Sequence, residues 1–244
     1  DASGVEKPLG TRVVELPPLG RATHALPVPD SALPTLTTPA SRWVARLGAS
    51  DSRPFRAVAV PVGGSAPVVD ADLSDWPDTP PIVIGGADQI SRNFGEWSPD
   101  DASARVRLAL VGGVLYVAAD VSDDDPMHNP HPAKAMYKGD ALELYLGVAG
   151  PTERSVLDKT VEFQIGLAPV TADGKPAVFQ FHKDVPVADA QIAARRTDKG
   201  YALEAAIPLA ALGVNVDKLV PGRLIGLDMA LDDLDADDWA PAGN

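Results

Sequence analysis

From residue 66 onward the chain is written as short apolar–polar runs, each ended by turn-forming residues, and this punctuation constrains the fold more than any other feature. A period of two places successive side chains on opposite faces of a strand, whereas a helix needs apolar residues three and four apart over a longer stretch. The runs fall at 67–69, 82–84, 104–110, 114–121, 141–148, 160–168, 177–181, 189–196, 200–207 and 224–231. No helix-length segment lies between them, so neighbours pair antiparallel rather than through βαβ crossovers. The expected fold class is all-β, an antiparallel two-sheet β-sandwich of jelly-roll-like form. The Gly112-Gly113 pair between two runs marks a hairpin. One short helix is expected at 208–212, with proline near its start and Gly213 just past its end.

Residues 1–65 are of another kind. Pro17, Pro18, Pro27, Pro29, Pro34, Pro39, Pro54 and Pro61 interrupt short apolar pieces at 12–16 and 42–47. Proline lacks an N–H and fixes φ, which forbids long helices and central strands. This part is expected to be a proline-rich extension or the end of a preceding domain, with the sandwich spanning 66–244.

Composition removes several function classes. There is no cysteine, which excludes disulfides, thiolate zinc sites and a cysteine nucleophile. The formal charge of -13 argues against nucleic acid, whose phosphates are held by clustered Lys and Arg. No apolar run approaches the roughly 20 residues that span a membrane. Phosphate-loop, Gly-x-Ser-x-Gly and His-Glu-x-x-His patterns are absent, and carboxylates are so abundant that a pair at glycosidase spacing is no evidence of hydrolysis.

Six motifs in order carry a resemblance. They are Val-Asp-Ala-Asp-Leu-Ser-Asp-Trp at 69–76; Ala-Arg-Val-Arg-Leu at 104–108 with Leu-Tyr-Val-Ala-Ala-Asp-Val-Ser-Asp at 115–123; Lys-Gly-Asp-Ala-Leu-Glu-Leu-Tyr at 138–145; Glu162-Phe163; Gly-Tyr-Ala-Leu-Glu-Ala-Ala-Ile-Pro at 200–208; and Ile-Gly-Leu-Asp at 225–228 running into Asp232. Over residues 66–240 the chain resembles the family 9 carbohydrate-binding modules and their wider DOMON-like superfamily. The resemblance implies a non-catalytic module that holds a polysaccharide or oligosaccharide between aromatic side chains, carries calcium, and targets an attached or partner catalytic domain. With the Ala-, Val-, Pro- and Asp-rich composition it also implies a bacterial protein, secreted or periplasmic. Residues 1–6 carry no signal pattern, so a leader has been removed or the chain is a fragment. The family's last strand, with Phe-Gly and alternating leucines, is missing after Trp239.

By position, the resemblance places the first ring-clasping aromatic at Tyr137 and the second near Trp239. Edge hydrogen-bonding groups fall at Glu143, Asp140 and Gln164, the last where sugar-binding members carry a basic donor. Calcium ligands are expected from the acidic runs, at Asp123, Asp232, Asp233 and Asp235, since calcium takes six to eight oxygens. Trp76 reads as core and Trp97 as a less specific loop aromatic. A minor alternative follows from haem-binding relatives in the superfamily, with Met127 or Met136 and His131 as axial ligands. A structural or adhesion module without ligand is the third reading.

Overall fold

A computed structural model describes residues 46–47, 50–51, 60–90, 97–148, 162–220 and 225–235. The chain divides into two units, Asp1–Val60 with Pro151–Glu153, and Pro61–Gly150 with Arg154–Asn244. In the first, β1 (Arg46–Leu47) pairs antiparallel with β2 (Ser50–Asp51). The expected extended piece at 12–16 lies outside the described residues.

The second unit is the sandwich. Its strands are β3 (Ile82–Ile84), β4 (Ser103–Val111), β5 (Val114–Ser122), β6 (Ala141–Gly147), β7 (Glu162–Ala168), β8 (Ala177–Gln180), β9 (Val185–Pro186), β10 (Gln191–Thr197), β11 (Gly200–Pro208) and β12 (Gly226–Asp232). One sheet runs β10-β11-β5-β4-β3 and the other β12-β6-β7-β8-β9. Every neighbouring pair is antiparallel.

The turns explain the pairing. Gly112 and Gly113 have φ of 59° and 79°, the two positive values that a two-residue hairpin turn needs to match the twist of β4 and β5. The expected helix is α1 (Leu209–Leu212), with Pro208 as N-cap and Gly213 at φ 93° ending it. The expected strand at 67–69 does not form. Its backbone leads instead into a 3-10 turn, Leu73–Asp75, capped by the Asp72 side chain. Proline there has no N–H to give a ladder, and the next amides, of Asp70 and Ala71, donate to the Glu204 carboxylate at 3.0 and 2.6 Å.

Alternation decides what is buried. Facing rows of the first sheet are Val106, Ala119 and Leu203, then Leu108, Val117 and Ala205. The second sheet answers with Leu142 and Leu167, then Leu144 and Ile165. All ten are buried, and each large one contributes about 1.5–3 kcal/mol of transfer free energy. Trp76 is buried as expected, but on the outer face of the first sheet, where it packs on Ala109 and Ala118 and its indole N–H donates to Glu204.

Candidate functional site

The outer face of the second sheet follows from one strand. In β6 the leucines at 142, 144 and 146 point into the sandwich, so Ala141, Glu143 and Tyr145 share the opposite face. Register extends that face sideways. Tyr145 stands opposite Gln164 on β7 and Asp228 on β12, and Glu143 stands opposite Gly166 and Ala230.

A small second core is laid on part of this face. The 3-10 segment Ala133–Lys138 sets Met136, fully buried, against Ala141, Ala168 and Phe179, with Phe181 at the margin. Gly166 makes the room. A Cβ there would run into the Met136 sulfur and lie 2.9 Å from the Phe181 ring. Phe181 meets the Tyr137 ring edge-on, with centroids 6.0 Å apart and planes at 73°. Tyr137 is thereby fixed yet 48 % exposed.

Beside that ring lies a hydrogen-bonded trio. The Tyr145 hydroxyl donates to Glu143 Oε2, and Gln164 Nε2 donates to Glu143 Oε1 at 3.0 Å and to the Tyr145 oxygen at 3.2 Å. Glu143 is buried and Tyr145 is 38 % exposed. Burial and the bond to Glu143 push the Tyr145 phenol well above its usual range, so it stays a donor. Asp232, two positions from Ala230 on the same face of β12, has a buried oxygen, Oδ2, with no hydrogen-bond partner. Burial first, then the Glu143 charge, raise its carboxyl to about 8.

Asp140 stands elsewhere. Its carboxylate accepts from the amides of His128 at 2.6 Å and Leu234 at 3.1 Å, and it groups with Asp123 and Asp233 so that one oxygen from each lies within 4.8 Å of the others. The reason is direction: Asp140 precedes Ala141, and alternation turns it away from the Glu143 face. Burial raises Asp123, Asp140 and Asp233 alike, and the Asp123 charge adds to the rise of Asp140 and Asp233. The Tyr201 hydroxyl, buried and without a partner, feels Asp140 and Asp123 most strongly among charges. Asp235 sits in a second group, with Asp101 and Asp124.

Of the residues expected at the sugar site, Tyr137, Glu143 and Gln164 are thus neighbours on one face, Asp140 is not among them, and Trp239 lies outside the described residues. Of the expected metal ligands, Asp123 and Asp233 meet, while Asp232 and Asp235 go to other places. Met136, offered as an axial haem ligand, is committed to packing over Gly166. Met127 and His131 sit on the loop before it. Tyr145 and Phe181 were missed. Tyr145 was readable, since it lies two residues from Glu143 and a strand returns to the same face every second residue; nothing local in the sequence points to Phe181.

The model of the carbohydrate family 9 binding domain-like family matches residues 85–242, more than half of the chain, and the chain belongs to that family. Two solved structures of family 9 carbohydrate-binding modules from Caldicellulosiruptor kristjanssonii are similar. The one in complex with cellotriose is 18 % identical, with a TM-score of 0.49 over 73 % of this chain and 78 % of that one. The one in complex with glucose is 17 % identical, with a TM-score of 0.48 over 73 % and 80 %. No curated protein is a significant match.

Proposed function

We propose that the outer face of the second sheet binds a carbohydrate non-covalently, with Tyr137 as the stacking platform and Glu143, Tyr145 and Gln164 as the polar edge. The observation that carries this is a half-exposed ring, held edge-on by Phe181, beside three side chains already locked to one another. A sugar has apolar C–H faces and a rim of hydroxyls, and this arrangement offers a partner to each. Prior ordering of the trio lowers the entropy lost on binding. No step of proton or group transfer is assigned to it.

Calcium belongs to the same reading. Asp123, Asp140 and Asp233 give an all-oxygen donor set of the hard kind calcium takes, and the unpartnered Tyr201 hydroxyl lies within their field. The carboxylates repel one another without a cation among them, so an ion would relieve what their raised pKa values register. A secreted or periplasmic bacterial setting, with the module directing an attached or partner catalytic domain to polysaccharide, suits the weak calcium affinities of extracellular modules. Among the described residues no helix is long and apolar enough to cross a membrane.

Glucose and cellotriose are the first sugars to titrate. Calorimetry is expected to give saturable heat with wild type and roughly a five- to tenfold loss in Tyr137→Ala, a stacked ring contributing about 1–1.5 kcal/mol. Unchanged affinity in a folded Tyr137→Ala protein would remove the platform from the site.

A further inference from the structure

We infer that this face prefers a sugar end carrying an ammonium group, the 2-amino-2-deoxyhexose of a de-N-acetylated polysaccharide, over neutral sugars, and rejects uronates. The inference rests on the reading of the face as a sugar site and concerns its charge. Glu143 is buried, yet both its hydrogen bonds come from neutral donors, the Tyr145 hydroxyl and the Gln164 amide. Among the described residues no Lys or Arg pairs with it. A flanking carboxylate adds to the same sign: Asp228 stands opposite Tyr145 in register.

A cation on the neighbouring residue shows what the ring accepts. The Lys138 ammonium sits over the Tyr137 ring, 5.9 Å from its centroid. An aromatic face attracts cations through its quadrupole, so the platform already holds an ammonium supplied by the chain. A ligand amine that reached Glu143 would convert a neutral hydroxyl contact into a charge-assisted one, about twice as strong. Buried acceptors gain most from this, because less water screens them. A carboxylate on the ligand would meet Glu143 and Asp228, neither of which pairs with a Lys or Arg among the described residues.

The test is a titration of the full chain with glucose, glucosamine and glucuronate, at a pH where the amine is protonated, for wild type and Glu143→Gln. Glucosamine is expected to bind roughly five- to tenfold more tightly than glucose, from the difference between charged and neutral hydrogen bonds. Glucuronate is expected to give no detectable heat. The glucosamine-to-glucose ratio should fall to about one in Glu143→Gln, whatever that variant's absolute affinity. Glucose binding that equals or exceeds glucosamine binding overturns the inference and leaves the sugar site standing. A preference that persists undiminished in Glu143→Gln also overturns it, since the charge would not be its source. Absence of binding by all three sugars overturns the inference and the sugar site together.

Discussion

Gly166 is where side-chain chemistry most tightly limits this molecule. It faces outward between Glu143 and Phe179, and the Met136 sulfur and Phe181 ring fill the space its missing side chain leaves. Gly166→Val is expected to cost about 1–3 kcal/mol by overpacking, read as a lower urea midpoint. It should also weaken sugar binding, because moving Phe181 moves Tyr137 with it. Loss of stability with no change in sugar affinity would separate the small outer core from the site. At this scale the sequence was half legible. Glu143, Gln164 and Tyr137 could be placed by motif, and alternation would have added Tyr145. Asp140 joins Asp123 and Asp233, which follow the ends of β5 and β12, and no local pattern carries a contact between three separate strand ends.

Elements were easier to read than residues wherever a turn declares itself. Gly112-Gly113 specified its hairpin, and Pro208 with Gly213 bracketed α1, because proline and glycine act through backbone dihedrals that need no tertiary partner. The segment at 67–69 alternates like a strand but is held as a loop by Glu204, which lies on β11 more than a hundred residues away. That carboxylate accepts from the Trp76 indole and from the amides of Asp70 and Ala71, and Arg195 Nη2 ties the Ala71 carbonyl at 3.0 Å. Glu204→Ala is therefore expected to cost roughly 3 kcal/mol, since two buried donors and one part-buried donor lose their common acceptor. Chemical denaturation would measure it. A loss below about 1 kcal/mol would mean that the loop does not depend on Glu204.

For the whole molecule, the carboxylates set how stability responds to pH. Asp140 and Asp233 rise from 3.8 to about 9 and about 8, in both cases chiefly through burial. Between about pH 4 and pH 8 the metal-free folded state holds protons that the unfolded state has released. Its stability therefore falls as pH rises through that window. Saturating calcium should reverse the slope, because the ion binds deprotonated ligands and protons compete with it. Thermal unfolding from pH 5 to pH 8, with chelator and with calcium, checks this. Parallel slopes in the two conditions would argue against a calcium site among Asp123, Asp140 and Asp233.

β6 has one more consequence. The residue just before it, Asp140, joins the carboxylate cluster, and Glu143 and Tyr145 within it form the polar edge proposed for sugar. With both proposed ligands bound, a span of a few residues would join their binding equilibria. Linkage makes any effect between them reciprocal: the factor by which bound calcium raises affinity for sugar is the factor by which sugar raises affinity for calcium. Such a module would grip its polysaccharide more firmly where calcium is plentiful, and hold its calcium more firmly once docked.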